Sequence, residues 1–254
     1  MNTQKLMALV IVEFKKLYRD IMTLAVLVLM PVGLTLVFYV ALRNVFNDYY
    51  PVPGMNHFEY LVPGVMGYAV IYMGMMIALA LCEYREAGLL KRLGTTPASP
   101  YEYLGSILIA NMIIAVVQAL IVLLVAAILG YEFLGGLLGL VLVCVFMGLL
   151  AVTAVGLGLL TATVVKSSGA ASGLSMVFIV PMMVFGTNLA VFDETTRTIA
   201  RFTPNYYATD ALSKIFTGTS LSDGTIWQNL LILAIISIVI VVAGVQLFKR
   251  TEFR

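Results

Sequence analysis

The residues able to do chemistry are few and stand apart. One histidine (His57) and two cysteines (Cys82 and Cys144) occur in 254 residues. His57 has no carboxylate or cysteine cluster around it and reads as an ordinary loop residue. A zinc site or a Ser-His-Asp triad has no residues to build it. The cysteines fall at different depths of two apolar runs and read as small buried hydrophobes, not a bridge. The acids Asp193, Glu194 and Asp210 lack a histidine or an evident metal partner, so a lipid-cleaving enzyme inside the membrane has no visible catalytic cluster. No G-x-x-x-x-G-K-[ST] stretch is present, and no polar stretch is long enough for a nucleotide-binding domain. The one dense group of charges is "CEYREAGLLKRLGTTPASPYEY", residues 82–103. It holds Glu83, Arg85, Glu86, Lys91, Arg92 and Glu102 between two apolar walls. Its chemistry is recognition by charge, not catalysis.

The elements that position this group are membrane spans. Of the residues, 61% are hydrophobic and 11% charged, and mean hydropathy is +1.03. Soluble domains carry about a quarter charged residues, so the composition is that of a polytopic membrane protein. A net charge of +2 gives no footprint for nucleic acid. Charge-free runs predict six spans, at 21–42, 60–82, 103–129, 137–165, 167–192 and 224–248, with "GYEFLGG" (130–136) as the turn between the third and fourth. Each run exceeds the ~20 residues that cross a ~30 Å hydrocarbon core. A charge at mid-span costs about 2.5–3.5 kcal/mol, so runs kept free of it are built to insert.

Six spans leave both termini on one side. That side carries Lys5, Lys15, Lys16, Arg19, Arg85, Lys91, Arg92, Lys166, Lys249, Arg250 and Arg254, against Arg43, Arg197, Arg201 and Lys214 on the other. The positive-inside rule puts both termini and the charged loop (83–102) in the cytoplasm. The expected location is the plasma (inner) membrane, crossed several times. Tyr49, Tyr50, Phe58, Tyr60, Tyr131, Phe133 and Trp227 are then expected as an outer aromatic belt. Residues 1–20 predict an interfacial helix, with Leu6, Leu9, Val10, Phe14 and Leu17 on one face and Lys15, Lys16 and Arg19 displaced from it.

The span interiors carry no ionisable residue, which weighs against a proton-driven antiporter. Polar positions such as Asn111, Gln118, Thr153 and Thr161 suit interhelical hydrogen bonds. In the charged loop, Leu89, Leu90 and Leu93 share one side of a short helix that Gly94 and Pro97 end. Ser99, Pro100 and Glu102 form a capping box that opens the third span. On the other side, residues 193–223 predict two helices: one capped by Asp193, and one starting at Thr203–Pro204 and ending at Gly218. In the second, Asp210 and Lys214 are spaced to pair.

The stretch "EYREAGLLKRLGTTPASPYEYLGSILIAN" resembles the segment after the second span of ABC type-2 permeases, the membrane subunits of ATP-driven exporters. Glu83, Arg85, Glu86, Gly88, Leu89, Lys91, Arg92, Leu93, Thr96 and Pro97 match the drug-efflux branch. "RFTPNYYATDALSKIF" (201–216) is a second, less specific match. With the six-span pattern, the two cover most of the chain.

The resemblance implies an all-α transmembrane domain over 1–254 that is not itself an enzyme. It would work as a homodimer with two copies of an ABC ATPase subunit. This chain would bind no cofactor, and ATP and Mg would sit on that partner. The loop would be a coupling helix seated in the ATPase, with Leu89, Leu90 and Leu93 packing in its groove and Glu83, Arg85, Glu86 and Arg92 docking by charge. The outer helices would be re-entrant, with Tyr206, Tyr207 and Asp210 at the gate. The expected cargo is an amphipathic small molecule or a lipid-linked substrate. Charge reversal at Glu86 and Arg92 is expected to uncouple hydrolysis from export. A secondary transporter or channel independent of ATP is the alternative.

Overall fold

The computed structural model describes residues 3–45, 56–90, 99–186 and 194–252. Most of these residues are helical, with no strand among them. The helices are α1 (Thr3–Arg19), α2 (Ile21–Leu42), α3 (His57–Glu86), α4 (Pro100–Ile128), α5 (Gly136–Val164), α6 (Ser168–Gly186), α7 (Glu194–Ala200), α8 (Pro204–Phe216) and α9 (Gly224–Glu252). Six of them, α2 to α6 and α9, are long and apolar enough to cross a membrane. Below, the terminal end is the one that holds the starts of α2, α4 and α6 and the ends of α3, α5 and α9.

Local signals start these helices. Asn56 and Glu59 form a reciprocal capping box at α3, which makes His57 the first residue of that helix and not a loop residue. Ser99 and Glu102 form the expected box at α4: the Glu102 amide donates to Ser99 Oγ at 3.2 Å, and the Ser99 amide donates to Glu102 Oε2 at 2.9 Å. Asp20 caps α2 by accepting from Thr23 N (3.1 Å) and Thr23 Oγ1 (2.6 Å). These bonds, the hydroxyl's above all, hold the Asp20 carboxyl below its ordinary range.

Helices α3 and α5 form the centre, with α9, α6, α4 and α8 packed on them. Glycine permits the closest approach. A Cβ on Gly158 would lie 2.6 Å from Gly74 O, and one on Gly74 would lie 2.7 Å from Ala154 O. On the opposite side of α5, a Cβ on Gly244 would lie 2.7 Å from Gly156 O. The backbones of α3, α5 and α9 therefore meet with no side chain between them, as small-residue interfaces in lipid allow. Gly135 and Gly139 leave room for Ile215 of α8, whereas Gly169 and Gly173 face open space.

Polar span residues join helices where the backbone needs a partner. Pro31 has no N–H to give to the Leu27 carbonyl one turn earlier. Gln118 Nε2 of α4 donates to that oxygen at 2.7 Å, with both residues buried. Thr153 of α5 and Ser237 of α9 meet at 2.8 Å. Asn111 instead donates to Ile107 O of its own helix.

Two further expectations differ from the structure. Phe58 and Tyr131 are not lipid-facing belt residues. Phe58 stacks edge-on against Tyr39 (5.3 Å), Tyr131 packs on Phe216 (5.9 Å), and both are buried. Trp227 is exposed, while Tyr49 and Tyr50 lie outside the described residues. Lys16 is not displaced from the inner face of α1. It pairs with Glu13 at 2.7 Å and lies over the Tyr84 and Tyr103 rings. Val10 is buried beside it, and Met7, Ile11 and Tyr18 are exposed on the outer face of α1.

Candidate coupling end and outer helices

The helix carrying the second apolar run does not stop at Cys82. It continues to Glu86, so Glu83, Arg85 and Glu86 ride on the last turn of α3. The chain then turns at Gly88, whose φ of +69° is a left-handed value that a side chain would strain.

Arg85 points into the bundle. Its Nη1 donates to Val165 O at 2.7 Å and its Nη2 to Ala162 O at 2.5 Å. These are orphan carbonyls at the C-terminus of α5, where a cation also meets the negative end of the helix dipole. Arg85 Nη2 also reaches Glu252 Oε1 of α9 at 2.8 Å, and both side chains are mostly buried. Next to it, Glu86 Oε1 accepts the amide of Ser168, the first residue of α6, at 3.1 Å. The tip of α3 thus holds both sides of the α5–α6 junction and the end of α9. Lys249 of α9 adds a bond to Tyr101 Oη of α4 at 3.0 Å and lies over its ring.

Leu90 is buried against Leu81, Cys82, Tyr103 and Leu104. Leu89 is 44% exposed, and the Glu83 side chain is exposed with no hydrogen bond or ion pair among the described residues. The sequence-predicted docking residues therefore divide. Arg85, Glu86 and Leu90 bind this chain's own helices, while Glu83 and Leu89 face outward. Arg92 and Leu93, with Lys91, Gly94, Thr96 and Pro97, lie outside the described residues.

At the opposite end, α8 buries Pro204, Asn205, Ala208, Thr209, Leu212 and Ile215 against α3, α5, α6 and α9. Tyr206 and Tyr207 meet edge to face at 5.5 Å, and Tyr207 Oη donates to Arg201 O. The expected Asp210–Lys214 pair does not form. Asp210 accepts from Asn229 Nδ2 of α9 at 2.7 Å. Lys214 turns to Asp223 (3.4 Å) and Thr225, because the chain folds back at Gly218 and brings them within reach. The Thr225 amide and hydroxyl, and then Lys214, hold the Asp223 carboxyl below its ordinary range. Asp193 lies outside the described residues.

Sequence reasoning missed Asn205 and Thr209. Both are buried, and among the described residues neither amide atom of Asn205 nor the Thr209 hydroxyl has a hydrogen-bond partner. A Cβ on Gly67 would fall 2.1 Å from Asn205 Oδ1, so the side chain fills the space a glycine leaves in α3. The available signal was a polar pair at i, i+4 on the apolar side of an amphipathic helix.

No curated protein matches the chain. A family model described as "ABC-2 family transporter protein" matches residues 43–245, from the end of α2 into the last turns of α9. With six helices able to span, this is a multi-pass membrane protein, and the chain belongs to the ABC-2 family of transporter proteins.

Proposed function

We propose that this chain is one half of the membrane passage of an ATP-driven exporter. Two copies form a homodimer with two copies of a separate ABC ATPase, which holds ATP and Mg. The cargo is an amphipathic small molecule or lipid-linked substrate, moved out of the cytoplasm or inner leaflet. The charge count favours a terminal end in the cytoplasm.

One observation carries this reading. The tip of α3 presents Glu83 outward and the turn that follows it presents Leu89, while Arg85 and Glu86 beside them tie α5, α6 and α9 together. A load placed on Leu89 moves a 30-residue helix whose end cannot shift without those three partners. Helix α8, seated on α3, α5, α6 and α9 at the far end, receives that displacement at Tyr206, Tyr207 and Asp210. Packed helices with few voids transmit such shifts because they deform little.

The test is ATP-driven flux of a fluorescent amphiphile in liposomes holding the whole complex. The variant is Leu89→Asp. Leu89 suits this test better than Glu86, whose reversal would also release Ser168, and better than Glu83, which lines a cavity at the same end. ATP hydrolysis is expected to persist while flux falls at least about tenfold, a change of ~1.4 kcal/mol. Unchanged flux overturns the coupling role of this tip.

A further inference from the structure

A cavity of about 720 Å³ opens at the terminal end between α1, the start of α2, and the terminal halves of α3 and α4. It lies within the ~300–1,000 Å³ typical of ligand sites. Its deep wall is apolar, built from Leu27, Met73, Met76, Ile107 and Ile114. Asn111, also deep, gives its amide hydrogen to Ile107 O and asks for no partner there. The mouth is charged, with Glu13, Lys16, Arg19, Asp20, Glu83 and Tyr84. An apolar slot under a charged rim is the division an acyl chain and its headgroup require.

The rim decides which headgroup. Lys16 is engaged by Glu13, and Asp20 by Thr23. Among the described residues, the side chains of Arg19 and Glu83 have neither hydrogen bond nor ion pair, and both are exposed. One free cation and one free anion complement a zwitterion. An anionic headgroup would meet Glu83 and Asp20 with only Arg19 to balance them. A quaternary ammonium favours open aromatic faces. Here Lys16 Nζ already lies 4.9 Å from the Tyr84 ring centroid and 5.9 Å from that of Tyr103. A primary ammonium needs only a carboxylate acceptor, and Glu83 supplies it.

We propose that this cavity binds one phosphatidylethanolamine molecule from the leaflet at the terminal end. Arg19 takes the phosphate, Glu83 takes the ammonium, and an acyl chain lies against Met76 and Ile107. The wall from α1 and α2 lies outside the family match, which begins at residue 43. Binding needs no nucleotide and no transport, so the site stands or falls apart from the export reading.

The test is native mass spectrometry of the full chain in its complex. It is released, without ATP, from nanodiscs of equal parts phosphatidylethanolamine, phosphatidylcholine and phosphatidylglycerol. The wild type is expected to retain phosphatidylethanolamine about tenfold over the other two. Glu83→Gln should erase that preference, Arg19→Gln should lower retention of all three, and Met76→Trp should fill the slot and abolish retention. Equal retention of the three lipids by the wild type, or an unchanged preference in Glu83→Gln, overturns the headgroup assignment. Undiminished retention in Met76→Trp overturns the site, and the monodisperse complex recovered with each variant shows that folding is not the cause.

Discussion

Glu86 caps Ser168, its Oε1 taking the amide of the first residue of α6 at 3.1 Å, one residue away from the arginine that caps the last carbonyls of α5. Two neighbouring charges of opposite sign thus close opposite helix ends at one junction. Each sits where the helix dipole favours it.

Arg85 is the more costly of the two to lose. Removing it strips two carbonyls at the end of α5 and leaves the mostly buried Glu252 without its ion pair. Arg85→Ala is expected to destabilise by about 2–4 kcal/mol, between a single charge-assisted bond and a broken buried pair. Glu252→Gln, which keeps an acceptor, should cost under about 1.5 kcal/mol. Chemical denaturation in mixed micelles measures both. Equal costs for the two would show that the α5 carbonyls do not need the guanidinium.

The glycine contacts predict a position-specific result. Gly158→Ala drives a methyl to 2.6 Å from the Gly74 carbonyl, so α3 and α5 must separate. A loss of about 1–3 kcal/mol follows from overpacking, read in the same denaturation assay. Gly169→Ala and Gly173→Ala meet nothing within 4 Å and should fold as the wild type. A Gly158→Ala protein as stable as the Gly169→Ala control would contradict the contact.

Acid should loosen the turn before α9 in a defined window. The folded Asp223 carboxyl is held below its ordinary value of 3.8, first by the Thr225 amide. Its contribution is therefore complete above that value and is lost as pH falls through the lower, folded one. The sole tryptophan reports it, because Trp227 Nε1 donates to Leu221 O beside the turn. Trp227 emission is expected to hold steady down to about pH 4 and shift below it. Asp223→Asn should show the shifted emission already at neutral pH and no acid step. A wild-type midpoint above about pH 4.5 would contradict the assignment.

How much of this could be read from the sequence depended on range. The Ser99–Glu102 box was legible because both partners lie within one turn and the rule for pairing them is local. The six spans were legible because exclusion of charge is a property of each run alone. Arg85 stands out in the sequence as a charge at the end of an apolar run, but its partners Ala162, Val165 and Glu252 lie far along the chain, and no spacing rule reaches them. Phe58 and Tyr131 show the converse limit. An aromatic near a span end has a foreseeable depth, whereas the side it faces is set by packing against Tyr39 and Phe216. Asp210 and Lys214 satisfied the helical pairing rule and still part, because Asn229 and Asp223 offer each a tertiary partner. The glycines at 74, 156, 158 and 244 belong to one interface only once α3, α5 and α9 are seen side by side.

The central claim is that a partner loads the exposed tip of α3. A photo-crosslinking amino acid placed at position 89 of the intact, transport-active complex tests it most directly. The account predicts a covalent link to the ATPase subunit whose yield changes between the nucleotide-free and ATP-bound states. Links only to lipid or to this chain's own helices, in a complex still exporting cargo, would contradict it.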